Sequence, residues 1–165
     1  MRVTTLLITG LATAATAAIG GAATAPAVRS CWYAQLHKPA YQPPREVFPV
    51  VWPALYTDLA VVSAAAIDEL GATGRDIERR AYRNGLALNL ALNASWSWLF
   101  FNRRRFGSAT VVSAALTVSS ADLTRRAVDA IGERAAPLAL YPVWCAFATV
   151  LCGHIRQLNR QASRP

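Results

Sequence analysis

Three sets of residues recur at helical spacing and carry side chains able to hold a flat, apolar ligand. Phe48, Trp52 and Tyr56 follow one another at steps of four, which stacks them as one aromatic stripe on a helix. Asn89, Asn93, Trp96 and Phe100 fall at steps of four, three and four. Tyr141, Trp144 or Cys145, Ala148 and Cys152 repeat the pattern near the end of the chain. An amide facing hydrocarbon is costly, so Asn89 and Asn93 are expected to turn inward. If the three faces converge, they enclose a slot with aromatic walls, amide donors and a small floor at Ala148. Such a slot suits a ring system with polar edges. Trp and Tyr also gather at membrane interfaces without any ligand, and the same residues fit that belt.

Other chemistry is sparse. Asp58 sits mid-span in an apolar run, where an acid needs a buried Arg, a hydroxyl, a proton, a wet cleft or a partner chain. Its helix angle differs from that of the Trp52 and Tyr56 stripe. His37 and His154 have no carboxylate or Cys at ligand spacing, and Cys31, Cys145 and Cys152 form neither a CxxC nor an even framework. No metal site is expected, and the thiols read as small apolar core residues. Phosphate-binding loops, dinucleotide fingerprints, HExxH and nucleophilic-serine motifs are absent from the sequence.

The elements that must position these residues are helices in a membrane. Hydrophobic residues make up 54% of the chain and charged ones only 16%, against about 25% charged in a soluble domain. Five apolar segments, at about 3–25, 47–67, 81–101, 107–123 and 136–158, mostly reach the ~20 residues that cross a bilayer as a helix. They lack the alternation of barrel strands, so the expected fold is all-α, a single five-transmembrane-helix bundle over residues 1–165. The net charge of +8 does not indicate nucleic-acid binding, because the arginines cluster at the ends of apolar runs. That placement fits a lipid bilayer with anionic head groups. The first segment, with Arg2, an apolar stretch and Ala23–Ala25, reads both as a cleavable signal peptide and as a membrane helix. In the helix reading, Ala14, Ala18 and Ala22 supply a close-packing face.

Residues 26–46 form a long connection, "CWYAQLHKPAYQPPRE" at its heart, too aromatic for disorder and expected to act as a lid. Pro44 and Glu46 suit a helix start, while Pro49 and Pro53 should bend the first turns of the second helix. Basic residues divide almost evenly. Arg2, the Arg75–Arg83 group, Arg125, Arg126 and Arg134 lie at one end; Arg29, Lys38, Arg45, Arg103–Arg105, Arg156, Arg160 and Arg164 lie at the other. The compact Arg103–Arg105 triplet and the basic tail lead to the expectation that the C-terminus is inside.

Three stretches carry a resemblance to a known family. "WYAQLHKPAYQPPREVFPVVWPALY" resembles the signature loop and second helix of the TspO/MBR family, the tryptophan-rich sensory and mitochondrial translocator (peripheral benzodiazepine receptor) proteins. "LNLALNASWSWLFFNRRRFGSA" is similar to its third helix and turn, and "LYPVWCAFATVLCGHIRQLN" to its fifth. The resemblance runs in register over residues 31–159 and favours the first segment as a retained helix.

It implies a five-helix bundle, commonly a homodimer, that binds tetrapyrroles such as protoporphyrin IX or haem, with no obligatory cofactor. Benzodiazepine-type compounds are further ligands of the family, and sterols of its mitochondrial members. Carried over, the pocket residues are Tyr33, Pro43, Trp52, Tyr56, Asn89, Asn93, Trp144, Cys145 and Ala148. Trp32, His37, Lys38 and Tyr41 belong to the lid, with Tyr33, His37 and Lys38 meeting the propionates. Trp52 and Trp144 match positions linked to light-dependent porphyrin breakdown, so a porphyrin-degrading protein is an alternative, as is a lipid- or sterol-binding regulator. Tyr41, Pro142, Cys152 and Arg156 depart from the family pattern, and no Tyr precedes Lys or Arg within five residues in the sterol-motif region. A bacterial-type envelope membrane is expected over the mitochondrial outer membrane.

Overall fold

A computed structural model describes residues 1–162, so the Arg164 of the basic tail lies outside the described residues. Five long helices and one short one make the bundle: α1 (Val3–Val28), α2 (Cys31–Gln35), α3 (Phe48–Ala72), α4 (Asp76–Ser97), α5 (Phe106–Ile131) and α6 (Leu140–Ala162). No strand occurs among the described residues. The all-α bundle expected from the apolar runs is what forms.

The helices are longer than the runs because their ends are polar yet helical. Asp76 and Glu78 occupy the first turn of α4, where acids oppose the positive dipole end. Arg75 reaches Glu78 at 2.5 Å and Arg79 reaches Asp76 at 3.8 Å. α5 runs past residue 123 through a ladder in which Arg125 bridges Asp122 and Asp129 at 2.9 and 3.0 Å. Residues 136–139, expected to open the last helix, belong instead to a 3-10 stretch, Gly132–Ala139. Pro142 is therefore in the first turn of α6, where its missing N–H costs nothing. Pro49 likewise lies in the first turn of α3, and Pro53 lies inside that helix.

α1, α3 and the stretch Phe106–Gln161, which holds α5 and α6, are long and apolar enough to cross a membrane. α4 is more polar than its place in the 81–101 run indicated. Its first turns carry Arg79, Arg80 and Arg83, and its inner face carries Asn89 and Asn93. The outward side chains of the bundle are apolar: Leu7, Leu11, Val50, Val111, Val118, Val143 and Val150 are all exposed. In water that would be a liability; in hydrocarbon it is the required surface.

α1 packs along α3 and α4, but not through Ala14, Ala18 and Ala22, which are exposed. Its buried face is Thr9, Thr13, Thr16, Gly20 and Ala23. The threonines cross no lipid unsatisfied, since Thr13 and Thr16 donate to the Gly10 and Ala12 carbonyls and Thr9 donates to Ala60 of α3 at 2.9 Å. Gly20 lets α4 approach, for a Cβ there would stand 3.1 Å from Ser97 Oγ. One core cluster, with Leu59, Val62, Tyr82, Leu123, Leu138 and Tyr141, fills the middle. A second, with Leu36, Phe100, Leu151 and Ile155, lies under α2 and the connection that follows it.

Candidate functional site

The aromatic stripes of α3, α4 and α6 meet around Trp52. Its ring centroid lies 5.6 Å from Tyr56, 6.5 Å from Trp96 and 6.4 Å from Trp144, the last edge-on at 86°. Phe48 and Phe147 extend the cluster, 5.9 and 5.5 Å from Trp144. These rings wall a cavity of about 1190 Å³ that also reaches the small-residue side of α1 at Gly10, Ala14, Ala17 and Gly21. Its size and apolar lining suit a large flat molecule.

Behind one wall runs a chain of hydrogen bonds that joins four helices. Tyr56 donates to Asn93 Oδ1 at 2.7 Å, and Asn93 Nδ2 donates to the Tyr141 hydroxyl at 3.0 Å. Tyr141 donates to Asn89 Oδ1 at 2.9 Å, and Asn89 Nδ2 donates to Ser119 and Ser120 at 3.2 and 3.1 Å. Every link is paired, which is how amides and a phenol survive burial. The chain fixes the Tyr56 and Asn93 side chains on the wall.

Among the expected pocket residues, Tyr33, Trp52, Tyr56, Asn93, Trp144 and Ala148 line the cavity. Asn89, Cys145 and Pro43 do not. Asn89 is fully buried one turn before Asn93 and turns to α5. Cys145 also faces α5, taking a 3.7 Å contact from Ser120 Oγ, so of the Trp144 or Cys145 pair it is Trp144 that reaches the cavity. Pro43 gives way to its neighbours Gln42 and Arg45. Cys152, placed on the α6 face by its spacing, lines the cavity too, while Phe147 and Leu151 are lining residues that neither the spacing nor the resemblance named. Phe147, three residues after Trp144, was accessible to the same spacing argument. The α1 face was not, because Gly and Ala carry no chemistry to notice.

The lid residues hold the connection down rather than line the cavity. Ser30 caps α2 by accepting the Tyr33 N–H. Trp32 stacks on Phe106 with its rings 10° apart, and the Arg104 guanidinium lies 4.6 Å over it. Lys38 Nζ donates to the Tyr33 carbonyl at 2.5 Å and sits 4.0 Å over the Tyr33 ring. Burial lowers the Lys38 ammonium's pKa, and burial raises that of the Tyr33 phenol against the opposing pull of Gln42. His37 uses its backbone: its N–H donates to Asn159 Oδ1 at 3.2 Å, and Asn159 Nδ2 donates to its carbonyl at 2.9 Å. Tyr41 hydroxyl meets His154 Nδ1 at 3.2 Å. Arg45 pairs with Glu46 at 2.8 Å, which holds the Glu46 carboxyl below its ordinary range.

Asp58 lies off the cavity, half-buried on α3, with no hydrogen-bond or ion-pair partner among the described residues. No cluster of three His, Cys, Asp or Glu able to hold a metal occurs among those residues.

The model of the TspO/MBR family matches residues 8–158. This chain belongs to the TspO/MBR family. It is 36% identical over 135 residues to the translocator protein of Bos taurus, a match covering 78% of this chain and 75% of that one. It is 31% identical over 140 residues to the tryptophan-rich protein TspO of Chlorobaculum tepidum, covering 84% and 86%. The tryptophan-rich sensory protein of Cereibacter sphaeroides is 36% identical over 81 residues, 49% of this chain and 47% of that protein. As a TspO/MBR protein, the chain is an integral membrane helix bundle. The match begins at residue 8, so it takes in α1 together with the site-bearing helices.

Proposed function

We propose that this protein binds tetrapyrroles, protoporphyrin IX or haem, in the cavity between α1, α3, α4 and α6, as a membrane receptor or carrier. The observation that carries the reading is the convergence of Trp52, Tyr56 and Trp144 on one apolar cavity of about 1190 Å³. Rings at edge and tilted angles give flat faces for a macrocycle to stack on. The Trp144 indole N–H is buried and has no partner among the described residues, so a ligand acceptor would satisfy it.

The test is tryptophan-fluorescence quenching of the purified protein titrated with protoporphyrin IX, beside Trp144→Ala. Saturable quenching with affinity at least about tenfold weaker in the variant, at equal helix content, is the expected result. Equal affinity in the variant would remove Trp144 from the site.

A second reading is favoured by the 6.4 Å edge-on approach of Trp52 and Trp144, both on the cavity: light-dependent breakdown of the bound porphyrin. Loss of porphyrin absorbance on illumination, absent in Trp52→Phe, separates it from binding alone. Sterols and benzodiazepine-type compounds are competitors for the same titration. A homodimer in a bacterial-type envelope membrane, with the C-terminus inside, completes the proposal. Light scattering tests the dimer and a C-terminal reporter fusion tests the orientation.

A further inference from the structure

Charge is confined to one end of the cavity. The lining of α3, α4 and α6 carries no charged side chain, with Tyr56 and Asn93 bonded to each other and the Trp144 indole N–H unpaired. On α1, Thr13 and Thr24 spend their hydroxyls on their own helix, donating to the Gly10 and Gly20 carbonyls. The charged lining residues are Arg29, Arg45 and Glu46, all at the mouth where α1 ends and the 36–46 connection crosses. Arg45 and Glu46 neutralise one another at 2.8 Å. Arg29 has no hydrogen-bond or ion-pair partner for its guanidinium among the described residues, and its backbone alone is engaged, at the C-cap of α1.

Of the other cations of this end, Arg103, Arg105, Arg156 and Arg160 do not line the cavity. Lys38 is folded onto Tyr33, and Arg104 lies over Trp32. His37 is tied through its backbone to Asn159, and the imidazole of His154 faces Tyr41. Among the lining residues, a ligand whose acidic edge emerges at the mouth therefore meets one uncommitted guanidinium, whose planar fork matches a carboxylate.

We infer that Arg29 is the carboxylate anchor of the cavity, so that an acidic tetrapyrrole binds with its ring against Trp52 and Trp144 and its propionates at the mouth. This rests on the tetrapyrrole reading above and moves the anchoring role from Tyr33, His37 and Lys38 to Arg29. It also sets ligand choice: a diacid is held at two ends, an uncharged ring system at one. Anchoring at the mouth lets the apolar body remain wholly inside, with no charge carried into the bundle.

The experiment titrates the protein, in non-ionic maltoside micelles without added lipid, with protoporphyrin IX and separately with its dimethyl ester. The wild-type protein is expected to bind the diacid about tenfold more tightly than the ester, the low end for a hydrogen bond to a charged group. Arg29→Gln should weaken the diacid to the level of the ester and leave the ester unchanged, while Arg29→Lys keeps part of the difference. Equal binding of diacid and ester by the wild type, or equal weakening of both in Arg29→Gln, overturns the anchor and leaves the tetrapyrrole reading standing. No saturable binding of either compound overturns both.

Discussion

Tyr141 has the most connected side chain near the cavity, although it does not line it. Its hydroxyl accepts from Asn93 and donates to Asn89, and removing it leaves two amide groups unpaired inside the bundle. Tyr141→Phe should cost about 1–3 kcal/mol of stability, read as a lower thermal midpoint by circular dichroism in detergent. An unchanged midpoint would mean that water or a rearranged amide replaces the hydroxyl. The inward turn of Asn89 and Asn93 was legible in the sequence, because an amide facing lipid has no alternative partner. Their separate fates were not. A four-residue step advances a helix face by some 40°, enough for Asn93 to reach the cavity wall while Asn89 meets Ser120. Which neighbour stands beside each position is a property of the packing. Cys145 illustrates the same limit, since spacing allowed either it or Trp144 and the position of α5 decided.

Among the elements, the connection between α1 and α3 is held by contacts that can be released singly. Asn159 of α6 grips His37 by both backbone groups at 3.2 and 2.9 Å, at an exposed site where each bond contributes about 1 kcal/mol. Asn159→Ala should loosen the connection without unfolding a helix. In stopped-flow quenching with protoporphyrin IX, association and dissociation are both expected to accelerate several-fold with little change in affinity. Unaltered rates would show that ligand exchange does not pass this way. The existence of five helices could be read from hydropathy, but their ends could not. Asp76–Arg80 and Asp122–Asp129 look like polar connections, yet ion pairs at helical spacing extend α4 and α5 through them. The 3-10 stretch before α6 leaves no periodic mark, so the start of the last helix was set at 136 and the place of Pro142 in its first turn was not legible. The packing face of α1 was misplaced because alanine spacing was easy to see. The inward threonines, which bond their own carbonyls, read as polar interruptions.

At the scale of the whole molecule, the two charged ends bracket an apolar girdle. At one end Asp68 takes the Arg2 backbone N–H, Arg75 reaches the Asp129 carbonyl at 3.2 Å, and Arg134 approaches Glu69 at 3.8 Å. The other end holds the α2 connection, Arg103–Arg105 and Arg29. This division was visible in the order of basic residues along the chain. The cavity reaches the second end and contacts α1 along much of its length, so a ligand there would lie between four helices. Ala148, half-buried on the lining, sits beneath the aromatic walls. The most direct measurement is a protoporphyrin IX titration of Ala148→Phe, with the thermal midpoint recorded alongside. A phenyl ring in place of the methyl occupies the cavity, so the account predicts affinity weakened by at least about tenfold in a protein that still folds. Wild-type affinity in that variant would contradict it, placing the ligand elsewhere on the bundle.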